Sequence, residues 1–238
     1  MRILGLDTAT RATVAALCEL DGGRLVAHVE CRDDPPPGSR PSHSARAIEL
    51  MLAALERSDT AWEEVERIVV GVGPGTFTGL RIGIATARAL ARARGIPLVG
   101  VSSLQSLAAM AAPAAAADGV GRVAGVIDAR RGELFAAAWE LADAGVPGRA
   151  AALEAKPYAP AALAEALGGV LAVGDGAIPS RELLESHGAV VPPDDSELHR
   201  VSAIGHCRLG AAIDPGAAGA VSPAYLRLPD AELSRRLR

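Results

Sequence analysis

Hydrophobic positions in the first hundred residues follow two different periods. Short apolar runs predict β-strands at 2–6, 13–20, 24–30, 68–72 and 98–101, with a hairpin turn at Asp21-Gly22-Gly23. Between them, apolar residues recur at helical spacing over 42–57 and 80–94. A further helix is predicted from Ser102 or Ser103, either of which can cap its start, to the residue before Pro113.

The second half of the chain repeats this order of elements. Strand-like runs occupy 123–128, 134–141 and 151–155, and they are followed by a helix at 161–167, a strand at 170–173 and a helix at 179–187. Three strands, helix, strand and helix therefore occur twice. The repeat predicts two related α/β lobes that face a cleft, the first over residues 1–103 and the second over 104–238. The C-terminal segment of the second lobe could pack back on the first.

Composition narrows the class of protein. Of the 238 residues, 50% are hydrophobic but only 3% are aromatic, so small aliphatic side chains must build the core. No apolar run reaches the roughly 18 residues of a membrane span, and no signal-peptide cleavage pattern follows the first residues. Three widely separated cysteines suggest neither a disulfide framework nor a metal knuckle, so we expect a cytoplasmic protein. A formal net charge of −4 argues against strong autonomous binding to nucleic acid.

A glycine-rich loop joins the strand at 68–72 to the helix at 80–94. It contains Gly73, Pro74, Gly75 and Gly79. Such a loop either makes a tight strand-to-helix turn or directs successive backbone N–H groups at an anion. The sequence is consistent with both interpretations. We expect Gly75 and Gly79 to occupy positions that need a positive φ or the close approach of another segment.

The residues of this loop also carry a family resemblance. The segment GPGTFTGLRIGIATARALA at 73–91 resembles the hallmark segment of the bacterial TsaB (YeaZ-like) family, whose members are partner proteins in making the threonylcarbamoyladenosine modification of tRNA. Other matching pieces come in the family's order: ILGLDTAT from Ile3, HSARAIELMLAAL from His43, IDARRGELFAA from Ile127, VGDGA from Val173 and PAYLR from Pro223.

The resemblance implies an α/β fold of the actin/Hsp70/sugar-kinase-like (ribonuclease H-like) type, with two related lobes and a cleft. It implies a non-catalytic dimerisation or activating subunit of the complex that transfers a threonylcarbamoyl group to adenosine 37 of tRNA. The implied partners are a TsaD-type catalytic subunit, a TsaE-type ATPase and, within the complex only, tRNA. A homodimer is expected when the chain is alone. The alternative is an ATP-dependent transferase or kinase that uses Asp7 and the loop at 73–79, and a protease-like function is weaker still.

The same resemblance places a degenerate nucleotide site in the cleft. The positions that match the phosphate and adenosine loops of the wider superfamily are Asp7, Thr8, Gly73, Gly75, Thr76, Gly174 and Gly176. However, Ala9 stands where a glycine is usual, and the glycine run that ends at Gly176 is short. Asp7 could instead bond to backbone N–H groups at the end of its strand. We therefore expect no cofactor of the chain's own, and ATP or ADP only at a partner interface.

No catalytic residue and no metal site are expected. His43 matches the first histidine of a His-x-x-x-His metal pair in TsaD-type relatives, but Ala47 replaces the second. The remaining histidines show no ligand spacing. Ser42 lies outside any G-x-S-x-G elbow, and a helix N-cap explains it better than a nucleophile does.

The helices at 42–57 and 80–94 form the predicted partner surface. The first helix is apolar on two sides, and we expect the side with Ile48 and Leu52 to meet the chain's own sheet. The opposite side, with Leu50 and Ala54, is expected to meet another chain. The predicted partner-binding residues are Ala47, Leu50, Ala54, Gly83, Ala87, Arg81, Arg88 and Arg92.

Two groups of charged residues can each be interpreted in more than one way. Arg81, Arg88 and Arg92 form a stripe on the second helix that is either solvated or paired with a partner or with RNA phosphates. The charged turn from Asp128 to Glu133 faces the cleft or a partner, or it is a solvated hairpin tip.

Overall fold

A computed structural model of the chain describes residues 1–36, 38–142, 146–148, 150–215 and 221–227. Its first sheet has the strand order β3-β2-β1-β4-β5, formed by β1 (Arg2–Asp7), β2 (Thr13–Asp21), β3 (Arg24–Asp33), β4 (Arg67–Gly73) and β5 (Leu98–Ser102). The first three strands are antiparallel, whereas β4 is parallel to β1 and β5 is parallel to β4. The carboxyl ends of β1 and β4 therefore lie at the same edge, where Asp7 meets the glycine loop.

Alternation along these strands divides the side chains of the first sheet between two cores. Leu4, Leu6 and Val70 face two helices, α1 (His43–Arg57) and α2 (Phe77–Arg94). Ile3 and Val69 point to the opposite face. There they meet α6 (Ala203–Gly210), which returns to this lobe after the second one. Both faces of the sheet are thus covered, as a sheet with parallel strands requires.

The second sheet repeats the pattern. It consists of β6 (Arg122–Arg130), β7 (Glu133–Ala142), β8 (Val146–Pro147), β9 (Leu153–Tyr158) and β10 (Leu171–Val173). β7 is antiparallel to β6 and β9, and β10 is parallel to β6 as β4 is to β1. The helices α4 (Pro160–Ala166) and α5 (Arg181–Ser186) flank one face, and α3 (Ser103–Ala117) covers the other. The chain therefore has the predicted duplicated α/β fold of the actin-like type.

Several predicted boundaries need correction. The helix predicted to end before Pro113 continues to Ala117, because buried alanines on both sides of the proline, such as Ala108, Ala111 and Ala115, pack against the second sheet. α2 begins at Phe77 and not at 80, with Thr76 as its N-cap residue. α6 was missed entirely.

A short C-terminal segment, residues 221–227, crosses from the first lobe to the second. Val221 packs with the α1 and α2 core, and the Ala224 N–H donates to the carbonyl of Val72 at 2.8 Å. Leu226 packs against the core formed by α3 and the second sheet. In the described parts of the chain, no helix combines the length and hydrophobicity that crossing a bilayer requires.

Candidate functional site

Asp7 ends β1 at the base of the cleft and is only 1% exposed. Its Oδ1 accepts the N–H of Ala9 at 2.7 Å, and its Oδ2 accepts the Ser103 hydroxyl at 2.7 Å. Nε2 of His206, from α6, lies 3.0 Å from Oδ2, although its N–H points off the line to that oxygen. Ala9, Ser103 and His206 surround the carboxylate, so it is held inside the fold.

Asp7 and His206 each shift the pKa of the other toward its charged form. Burial alone would raise the pKa of Asp7, but the His206 ring and its positive charge, with the bonds from Ser103 and Ala9, hold that pKa below its usual value. Burial would lower the pKa of His206, yet Asp7 raises it above the ordinary value. Nδ1 of His206 lies 3.0 Å from the carbonyl of Ser202, so both ring nitrogens face oxygen atoms. An aspartate–imidazolium ion pair is the state this geometry favours.

The glycine loop packs directly on the turn that follows Asp7. Thr8 Oγ1 donates to the carbonyl of Gly79 at 2.8 Å, and the Thr76 N–H donates to the carbonyl of Ala9 at 2.7 Å. A Cβ atom added at Gly75 or at Gly79 would lie 2.2 Å from the Ala9 oxygen or 2.1 Å from the Thr8 oxygen. Close approach therefore explains both glycines, as expected, whereas the positive φ of this loop belongs to Gly73, at 101°.

The predicted adenosine loop is packed in the same way. Gly174 has a φ of 114°, and a Cβ there would lie 2.0 Å from the carbonyl oxygen of Val126. His199 holds this turn through its Nδ1, 3.2 Å from the Gly174 nitrogen, and its Nε2, 3.0 Å from the Pro192 carbonyl. Of the seven residues predicted to contact a nucleotide, Asp7 and Thr8 are buried, and only Gly75 and Thr76 line the cavity described next.

A cavity of about 420 Å³ lies in the cleft between the lobes. Residues 74–77 of the glycine loop form its first wall, residues 128–131 with Phe135 form its second, and residues 224–227 form its third. The charged turn of the second lobe thus faces the cleft, which was one of its two sequence interpretations. A volume of several hundred Å³ is in the range that small ligands occupy.

His43 is buried, and its ring contacts a neighbouring side chain of the first lobe. Its Nδ1 lies 2.8 Å from Thr13 Oγ1, and burial lowers its pKa. Ala47, one turn later, is fully buried. Among the described residues, no group of three histidine, cysteine or carboxylate side chains is placed to hold an ion.

The predicted faces of α1 are reversed in the structure. Leu50 and Ala54 are buried against the first sheet, whereas Ile48 and Leu52 are each 47% exposed. The prediction that a partner contacts Ala47, Leu50 and Ala54 is therefore wrong, because these side chains already fill the chain's own core. Gly83 and Ala87 on α2 are buried in the same way, and a Cβ at Gly83 would lie 2.1 Å from Thr8 Oγ1.

The arginine stripe on α2 divides into two parts. Arg81 lies 3.7 Å from the centre of the Phe77 ring and donates from Nε to the Tyr225 hydroxyl at 2.9 Å. Arg88 donates to the carbonyl of Val221. These two arginines therefore hold the C-terminal segment, and Arg92 is exposed.

Comparison with known proteins agrees with this fold. A chain from Pseudomonas aeruginosa, described as an uncharacterised protein with similarity to the peptidase YeaZ, superposes with a TM-score of 0.74 at 28% identity, over 95% of this chain and 99% of that one. Duplicated lobes, a glycine loop and an interlobe cavity define an actin-like protein of the YeaZ type.

Residues 35–154 match the family described as "TsaD: tRNA N6-adenosine threonylcarbamoyltransferase", and the chain belongs to this family. The tRNA threonylcarbamoyladenosine biosynthesis protein TsaB of Escherichia coli is 37% identical over 147 residues, which are 61% of this chain and 58% of that protein. The TsaB of Bacillus subtilis is 39% identical over 94 residues, which are 40% of this chain and 39% of that protein. The matches thus span about half the length of these curated relatives, and within the family they place the chain with its TsaB/YeaZ-like members.

Proposed function

We propose that this chain is the non-catalytic subunit of a tRNA threonylcarbamoyl-transfer complex and that it binds and supports a TsaD-type catalytic subunit. The names of its relatives support the pathway. Asp7 supports the non-catalytic role. Its carboxylate is buried and is already in contact with Ala9, Ser103 and His206. A kinase or transferase of this fold needs an accessible carboxylate near the phosphates, and Asp7 cannot serve without breaking these contacts.

One observation carries the proposed interaction, namely the exposed aliphatic strip on the two helices that cover the first sheet. Ile48 and Leu52 lie on the outer side of α1, and Ala85 and Ala89 are exposed on α2 at helical spacing. Small residues on α2 let a partner helix approach closely, while the two larger residues on α1 supply apolar area. This strip replaces the buried face that the sequence indicated. When the catalytic subunit is absent, a second copy of the chain covers the same strip.

The proposed interface can be tested by introducing a charged residue into the exposed strip. Ile48→Glu and Leu52→Glu should leave the melting temperature nearly unchanged, because each position is already half exposed. Both should lower the affinity for the co-purified TsaD-type subunit by about 30-fold or more, since a carboxylate would be desolvated without a partner. Modification of tRNA in a mixture with the TsaD-type and TsaE-type proteins should fall in parallel.

Val26→Glu is the matched control. Val26 is 48% exposed on β3, an edge strand of the first sheet, close to the β2–β3 turn and outside the strip on α1 and α2. This variant should bind the catalytic subunit as the wild type does. If the α1 variants bind normally, or if all three variants lose binding together, the interface lies elsewhere.

A further inference from the structure

Two cysteines from opposite ends of the chain meet on the α6 side of the first sheet. Cys18 lies on β2 and Cys207 lies on α6, and both are fully buried in the core between that helix and the sheet. Successive side chains of a strand point to opposite faces, and Leu17 faces α1 and α2, so Cys18 points toward α6. The fold thus pairs two of the three thiols that sequence separation kept apart.

The sulfur of Cys207 lies directly over the paired strands β1 and β2. It is 3.6 Å from the carbonyl oxygen of Ile3 and 3.9 Å from that of Ala16. Ile3 is the register partner of Cys18 in this antiparallel pair. Gly5 leaves room for the sulfur, because a Cβ atom there would lie 2.7 Å from it. The Cys207 sulfur is therefore beside the Cys18 side chain, and the two thiols contact each other.

Charged residues of the first sheet hold α6 in this position from both ends. Glu30, on β3, accepts the Ser202 hydroxyl at 2.6 Å and the Ala203 N–H at 2.8 Å, at the start of the helix. Arg67, on β4, donates to backbone carbonyl groups at the end of the helix. The helix that carries one thiol is thereby fixed relative to the strand that carries the other. Two thiols in contact have only to shorten their separation to about 2 Å to form a disulfide.

Burial controls when this pair can react. Burial, together with the hydrogen bond and charge of the Cys18 thiol, raises the pKa of Cys207 well above its ordinary value. The thiolate is the form that attacks an oxidant, so the docked pair reacts slowly. Local detachment of α6 exposes both sulfurs to water and removes the cause of the raised pKa.

We propose that Cys18 and Cys207 are an oxidative modification site, at which hydrogen peroxide converts the two thiols into a disulfide that fastens α6 to the first sheet. The Cys207 thiolate attacks one peroxide oxygen, the O–O bond breaks, and the hydroxide that leaves takes up a proton to form water. The Cys18 thiolate then attacks the sulfur of this sulfenic acid, the S–S bond forms, and a second hydroxide leaves as water. The two thiols supply both protons, and they are oxidised while one peroxide is reduced to two water molecules.

The cross-link should stabilise the fold strongly because it closes a very long loop. It encloses about 190 residues, so it restricts the unfolded chain far more than a short loop would. Since α6 covers one face of the first sheet, the disulfide also prevents this face from opening. The site lies on the side of the sheet away from α1 and α2, so its test is independent of the proposed function.

The experiment treats the reduced full-length chain with hydrogen peroxide, blocks the remaining thiols and digests the product with trypsin. Each cysteine falls on its own peptide, residues 12–24, 25–32 and 201–208. We expect a monomer lighter by two hydrogen atoms, a linked pair of peptides 12–24 and 201–208, and reversal by dithiothreitol. The melting temperature should rise by about 5 °C or more. Oxidation of single cysteines without a link between these two peptides overturns the proposal.

Cys31 provides the matched control. Its side chain points to the opposite face of the sheet, where its sulfur accepts an N–H of Arg57 at 3.3 Å. Cys31→Ser should form the cross-link and gain thermal stability as the wild type does, whereas Cys18→Ser and Cys207→Ser should do neither. A link that includes Cys31, or an equal gain in all three variants, would contradict the assigned pair. The peptide map of the wild type decides the question even if a core variant fails to fold.

Discussion

Asp7 and His206 form a buried ion pair whose members come from nearly opposite ends of the chain. Gly71 makes room for the pair, because a Cβ at this position would lie 1.8 Å from Asp7 Oδ2 and 2.9 Å from His206 Nε2. An acid at the carboxyl end of β1 is therefore retained as part of the core, where it connects β1, α3 and α6. Removing one member alone would leave an uncompensated buried charge, which costs about 3–5 kcal/mol.

The pair should give stability a pH dependence of known sign. The pKa of Asp7 is lowered in the folded state, so its contribution is present above the unfolded pKa of about 4 and is lost as the pH falls through the lower folded value. The pKa of His206 is raised, so its contribution is complete below the unfolded pKa of about 6.5 and is lost as the pH rises through the higher folded value. The pair therefore stabilises the fold most between about pH 4 and 6.5.

Urea denaturation of the wild type and of the double variant Asp7→Asn/His206→Gln, from pH 4 to 9, measures this contribution. The difference in unfolding free energy between the two should shrink above about pH 6.5. A difference that is constant over the whole range would mean that the two groups are not charged together in the folded protein.

Among the secondary-structure elements, α1 is the one whose buried side the sequence failed to identify. Its apolar residues occupy two sides, and helical periodicity identifies both sides without saying which one meets the sheet. The structure selects the side with Ala47, Leu50 and Ala54, because small residues let the helix lie close to β2. The bulkier pair, Ile48 and Leu52, stays outside.

The two sides of α1 should respond differently to the same substitution. Ala54→Glu places a carboxylate in the core of the first lobe and should lower the unfolding free energy by several kcal/mol or prevent folding. Ala45→Glu makes the same chemical change at an exposed position and should alter stability by less than about 0.5 kcal/mol. Thermal denaturation of the two purified variants compares them, and equal melting temperatures would contradict the assignment of faces.

The order of strands and helices could be predicted because hydrophobic period and turn residues are local signals. The strands at 2–6 and 68–72 and the helix at 42–57 match the observed elements within one or two residues. α6 escaped prediction because six of its eight residues are buried, so its sequence does not separate into an apolar and a polar side. The partners of Asp7 escaped prediction because Ser103 and His206 reach it only through tertiary packing, without a spacing that sequence could reveal.

At the scale of the whole molecule, the first lobe depends on residues that follow the second. α6 covers the sheet face formed by Ile3, Val69 and Val99, and residues 221–227 link Val72 to the second lobe. Arg67 binds the carbonyl oxygens of Gly210, Ala211 and Ile213, which fixes the end of α6 at the base of the first sheet. The predicted first lobe, residues 1–103, therefore lacks one side of its core.

Two truncated chains test this dependence. A chain of residues 1–215 keeps α6 and should still show a cooperative thermal transition, at a lower temperature than the full chain. A chain of residues 1–202 lacks α6, exposes one face of the first sheet and leaves Asp7 without His206, so it should show no cooperative transition. If both fragments melt alike, α6 is not required for the first lobe.

This return of the chain has a consequence for synthesis on the ribosome. β1 is translated about 200 residues before α6, the helix that buries its second face and brings His206 to Asp7. At roughly 5–20 residues per second, β1 waits on the order of 10–40 s for α6, and the first sheet, complete at Ser102, waits about half as long with an apolar face open. Completion of this lobe is therefore timed by the translation of α6 rather than by the folding rate of the sheet itself.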